Sequence, residues 1–136
     1  EGDGPYQAAR DLLLRVPPRI GDQTVRQDGE SALNAALRIA PALTGGVLPI
    51  QGPPGAGKTY AGARMICTLV REGKTVGITA NSHKVIRNLL DEVIKAAEED
   101  GVDLHCIQKV NDAEDNLPRL TFSKKNEDVL GVAHAK

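Results

Sequence analysis

The sequence predicts an α/β fold, a parallel sheet joined by crossover helices. Short apolar runs at 45–50, 75–80 and 103–108 alternate with stretches whose apolar residues recur every three or four positions. Strand, helix, strand, helix, strand is the order of a parallel sheet, with right-handed crossovers expected. The breaker-rich run "GPPGAGKT" (52–59) lies between the first apolar run and the helical stretch after it. A length of 136 residues suits one domain around one core.

The elements follow in order. "YQAARDLLLR" (6–15) reads as a short helix, stopped by Pro17 and Pro18, which remove donors and hold Val16 extended. Residues 21–30 are polar with two glycines, a loop or linker. Over 31–43, Leu33, Ala36, Leu37 and Ala40 have helical spacing; Ser31 is a suitable N-cap, and Pro41 ends or kinks the helix. "GGVLPI" (45–50) is read as a buried strand. From Lys58 to Glu72, Ala61, Met65, Ile66, Leu69 and Val70 share a helical face, and Gly73 is the expected stop. "TVGITA" (75–80) is a second strand. Asn81 or Ser82 then caps a helix carrying Val85, Leu89, Leu90, Val93, Ile94 and Ala97 on one side, ending at Asp100–Gly101. "DLHCIQ" (103–108) is a third strand. Beyond Lys109 the signal weakens to a loop (111–118), a short strand "RLTF" (119–122) and a frayed helix over 126–136.

Composition bounds the function. Apolar residues are 40% and charged residues 26%, ordinary values for a globular chain. Tyr6, Tyr60 and Phe122 are the only aromatics, so the core rests on Leu, Ile, Val and Ala, and stacking platforms for bases are nearly absent. A net charge of −1 does not favour a nucleic-acid partner in bulk. Cys67 and Cys106 form no CxxC pair and read as buried thiols in a reducing compartment. His83, His105 and His134 have no metal spacing with them. No apolar run reaches spanning length and the opening has no signal-peptide pattern, so a cytoplasmic location without membrane contact is expected. The first residue is Glu1, and the sequence reads as a piece of a longer chain.

The run 52–59 fits G-x-x-x-x-G-K-[ST] through Gly52, Gly57, Lys58 and Thr59. A loop that wraps phosphate turns successive backbone N–H groups inward, which needs glycine torsions and no Cβ in the way. Gly55 and Gly57 supply this. Pro53 and Pro54 have no N–H and stiffen the approach. The N–H groups of Gly55, Gly57, Lys58 and Thr59 remain as donors, with Ala56 between them and Tyr60 next along the helix. A helix starting near Lys58 adds its positive dipole end. Lys58 places a point charge on the β- and γ-phosphates, and the Thr59 hydroxyl is placed for Mg²⁺. At average residue usage such a match arises by chance on the order of once in tens of thousands of positions. The expected cofactors are ATP and Mg²⁺, held by a phosphate-loop NTPase fold of RecA-like type.

"LPIQGPPGAGKTYAGARMI" resembles motif I of superfamily 1 helicases, in the branch of RNA-surveillance and nuclease–helicase enzymes. "VGITANSHKVIRNLLDEV" (76–93) resembles their motif Ia, a strand, a small-polar turn and a helix. Within that branch the chain resembles the helicase part of bacterial RecB-like nuclease–helicase proteins, over roughly residues 46–110. The resemblance implies an incomplete fragment of the first motor domain over 46–136, after a helical lead-in at 1–45. It implies that Thr79, Ala80, Asn81, Ser82 and His83 contact the backbone of a single strand, DNA more than RNA. It also implies a second motor domain and a nuclease domain in cis. Asn81 and Ser82 are equally ordinary helix caps, and Lys84 and Arg87 fit an added phosphate contact or a solvated helix face alike.

The family pattern is not complete. A hydrolysing site needs a Walker B carboxylate pair at the end of a buried strand. The nearby pair Asp91–Glu92 lies in a stretch of helical period, and Asp115 follows a polar loop. Neither an arginine finger nor a clear adenine-recognising glutamine is present; Gln27 sits in the wrong context. The expected function is therefore ATP binding by a helicase fragment with little or no hydrolysis of its own. The alternatives are a small-molecule kinase or other phosphate-loop ATPase, and a nucleotide-binding regulatory module.

Overall fold

The structure, a computed structural model, describes residue 4, residues 6–112 and residues 114–134, the last three by backbone alone. The expectations for Glu1, for Ala113 within the 111–118 loop and for the helix end at 135–136 lie outside the described residues. Among the described residues there are five helices and two strands: α1 (Gln7–Leu13), α2 (Ala32–Ala42), α3 (Lys58–Arg71), α4 (His83–Asp100), β1 (Cys106–Lys109), β2 (Leu120–Ser123) and α5 (Asn126–His134). The chain divides into two compact units, Glu1–Ala61 and Gly62–Lys136.

The first unit gathers around Ile20, Ala35 and Ile39, with Ala42, Leu43 and Leu48 packed beside them. Ser31 caps α2 by accepting from the Asn34 N–H at 3.1 Å, and Pro41 lies in the last turn, one residue before the helix ends. Two ion pairs tie its loops. Arg19 holds the buried Asp11 through two hydrogen bonds, 2.9 and 3.1 Å, and Arg38 holds Glu30 at 2.8 and 2.7 Å. Each guanidinium keeps its carboxyl below the usual carboxylate range, against the opposing cost of desolvation.

The second unit has a larger core. Ala63 and Cys67 of α3 meet Leu90, Val93, Ala96 and Ala97 of α4, with Val102, Leu104, Cys106 and Leu120 closing the cluster. Three fully buried alanines (Ala63, Ala96, Ala97) let helices and strands approach closely where bulkier side chains would hold them apart. Ser82 caps α4 by accepting from Val85 N–H at 3.3 Å. Gly101 ends it in the left-handed region, where a Cβ would strain the backbone, and Val102 N–H closes the end on Ala97 O at 2.8 Å.

The predicted fold is corrected here. The sheet has two strands, β1 and β2, paired in parallel with Cys106 opposite Leu120. The chain is mostly helical and does not form a recognisable phosphate-loop NTPase sheet. Residues 45–50 and 75–80 are not strands. A strand exists only as part of a ladder, and neither run has a partner among the described residues. Pro49 also removes a donor from the first run, and Ile50 is 46% exposed rather than buried. Ile78 of the second run does pack against the core, so its apolar residue is satisfied without any strand pairing. The pair that forms joins the predicted third strand to "RLTF" through 110–119, with no helix between among the described residues. Helices α3 and α4 both precede β1, so neither crosses from one strand of the sheet to another.

Candidate functional site

The run 52–60 leads into α3, which begins at Lys58. Gly55 and Gly57 stand at φ 78° and 77°, the left-handed region, while Ala56 between them keeps negative φ. Such alternation turns neighbouring N–H groups towards one side. A Cβ at Gly55 or Gly57 would meet nothing within 4 Å, so torsion and not crowding calls for glycine there. Gly52 differs: a Cβ on it would come within 3.2 Å of the Ala56 Cβ. Ala56 N–H closes a turn on Pro53 O at 3.2 Å. The N–H groups of Gly55, Gly57, Lys58 and Thr59 make no hydrogen bond among the described residues.

Lys58 folds back over the loop, and its Nζ donates to Gly52 O at 2.6 Å and Pro53 O at 2.8 Å. The ammonium thus rests on two neutral acceptors of its own loop, which a phosphate would outcompete by charge. Pro53, Pro54, Gly55, Ala56, Gly57, Lys58, Thr59 and Tyr60 are exposed and Gly52 is half-buried. The donor set fits a polyphosphate. Thr59 would bring one hydroxyl to a magnesium ion, and among the described residues no three His, Cys, Asp or Glu side chains gather to hold a metal. An ion there would take its remaining oxygens from a nucleotide and water. One turn along α3, Ala61 joins Val25, Arg26, Ala35, Ile39 and Ile50 around an apolar groove of about 170 Å³.

The second predicted group lies at the start of α4. Thr79, Ala80, Asn81 and Ser82 are exposed and His83 is half-buried. With Val85 N–H taken by the Ser82 side chain and Ile86 N–H by Ser82 O at 3.2 Å, the N–H groups of His83 and Lys84 stay open at the helix start. Lys84 is exposed, whereas Arg87 pairs with Asp91 at 2.7 Å and covers the Phe122 ring at 5.3 Å. Arg87 is therefore a packing residue rather than a free cation.

Asp91 and Glu92 lie inside α4, the first on Arg87 and the second 3.5 Å from Arg64. They do not stand at a strand end. Both cysteines are buried free thiols; burial raises Cys67, and raises Cys106 to about 11 with a smaller contribution from Cys67. Neither is poised as a nucleophile.

One residue escaped the sequence reading. Gln108 is 4% exposed; its Nε2 donates to His83 O at 3.0 Å, and its Oε1 has no partner among the described residues. The available signal was alternation: Val102, Leu104, Cys106, Gln108 and Val110 form one buried row, and a glutamine sits in it.

Comparison with protein-family models, with curated proteins and with solved structures finds no match to this chain. Among the described residues no helix is long and apolar enough to cross a membrane.

Proposed function

We propose that residues 52–59 bind the phosphates of a nucleoside triphosphate, ATP with Mg²⁺ at Thr59, and that the chain is the ATP-binding part of a superfamily 1 nucleic-acid helicase. One observation carries the reading: four unpaired N–H groups, two of them on left-handed glycines, share with the Lys58 ammonium one loop at the start of a 14-residue helix. The apolar groove beginning at Ala61 suits a base held by its faces; Arg26 is the one polar residue in its lining. In the intact protein the turn 79–83 holds a single strand, DNA more than RNA, and a second motor domain and a nuclease domain act in cis. Two free thiols fit a reducing cytoplasm.

Titration of labelled ATP into the wild type and Lys58→Ala tests this reading. Hydrogen bonds to a charged group are worth about 1.5–3 kcal/mol, so the variant should bind about ten- to a hundredfold more weakly. Equal affinities would remove the phosphate-loop assignment. A second reading, a nucleotide-binding module that does not hydrolyse, is favoured by the pairing of Asp91 and Glu92 with arginines. Titration with labelled oligothymidylate separates the two: the helicase part should bind the strand and such a module should not.

A further inference from the structure

The inward row of the β1 segment is apolar except at Gln108. A buried amide oxygen without a partner costs about 1–3 kcal/mol, and a methionine of similar length would avoid that cost. Stability does not account for the glutamine. Its identifiable contact is the 3.0 Å hydrogen bond from Nε2 to the carbonyl of His83, the first residue of α4. That bond ties the entrance of an 18-residue helix to the end of β1, where the open N–H groups of His83 and Lys84 meet the positive end of the helix dipole.

We propose that Gln108 is a positioning residue: it holds the first turn of α4 so that the N–H groups of His83 and Lys84 converge on one backbone phosphate of a single-stranded nucleic acid. The inference rests on the reading that the turn 79–83 contacts such a strand. Without the amide, α4 still forms, because Ser82 caps it and its apolar face is buried. What is lost is the fixed direction of two donors.

The test is fluorescence anisotropy with labelled oligothymidylate on the 136-residue chain, comparing wild type with Gln108→Met over a range of salt concentrations. The expected result is about five- to tenfold weaker binding, with the slope of log K against log salt reduced by about 0.7, one phosphate contact on a single strand. The melting midpoint should not fall, and the affinity for ATP should be unchanged. Wild type and variant binding alike, with equal slopes, overturns the inference and leaves the strand-contact reading standing. No binding by the wild type overturns both. Should Gln108→Met melt early, ¹⁵N spectra of the wild type decide instead. The Gln108 side-chain amide signals should move with those of His83 and Lys84 as oligothymidylate is added, and a still amide beside moving backbone signals refutes the role.

Discussion

The loop at 52–60 and the entrance of α4 at 79–83 offer the same kind of chemistry, backbone N–H groups at a helix start, on opposite foundations. The loop is exposed from Pro53 to Tyr60, and its shape comes from glycine torsions and a lysine that bonds its own loop. The α4 entrance is braced by a side chain 25 residues away in sequence, reaching it from a packed strand. Consecutive residues can specify the first arrangement almost alone, whereas the second exists only once β1 and α4 have packed together.

Core truncation should therefore produce the largest contrast. Leu120 is fully buried within the second unit's cluster. Leu120→Ala should destabilise that unit by about 2–5 kcal/mol, read from urea unfolding, and should abolish oligonucleotide binding. If the second unit melts unchanged, Leu120 is not the keystone its burial makes it.

A smaller effect is expected at Gly57. Alanine meets open space there but must adopt φ near 77°, which costs an ordinary residue about 1–2 kcal/mol. Gly57→Ala should weaken ATP binding several-fold while unfolding of the second unit stays as in wild type. Unaltered ATP affinity would mean that the left-handed glycine is incidental to the site.

These two variants also mark what was legible in the sequence. Ser31 and Ser82 as caps, Gly73 and Gly101 as stops, and the three long helical stretches follow from local rules and stand in the structure. The left-handed torsions of Gly55 and Gly57 were legible for the same reason, since they are set within a few consecutive residues. The sheet was not. Apolar runs at 45–50 and 75–80 have strand composition, but composition does not supply a ladder partner, and the pair that forms uses the weaker run "RLTF". Gln108 was hidden because its role depends on a contact with His83 that no spacing rule encodes.

Acid sharpens the contrast from the side of the first unit. Asp11 and Glu30 have folded pKa values below their unfolded ones, so the stability they contribute is present above the ordinary carboxylate range and is lost as pH falls through the folded values. The melting midpoint of the first unit should fall below about pH 4, where unfolded carboxylates begin to bind protons and folded ones do not. Asp11→Asn with Glu30→Gln should lower stability at neutral pH and flatten that acid limb. An acid limb as steep as in wild type would assign the loss to other groups.

The smallest expected effect concerns hydrolysis. Phosphoryl transfer depends on positioning and on charge stabilisation, and a missing arginine finger alone is worth about 10³–10⁵ in rate. The loop supplies the Lys58 ammonium and the Thr59 hydroxyl but no carboxylate to orient water. Asp91 and Glu92, the pair that a search for a Walker B motif would find, lie on α4 with Arg87 and Arg64 as partners. Freeing either would break an ion pair and turn a side chain away from the α4 face on which it is held. Turnover by the 136-residue chain should therefore lie near background, and Asp91→Asn with Glu92→Gln should leave it there while costing a little stability through the lost pairs. Steady-state phosphate release measures both. Turnover well above background that disappears in the double variant would show that the pair serves catalysis, and the contrast drawn above would fail, because α4 would then act on the nucleotide as well.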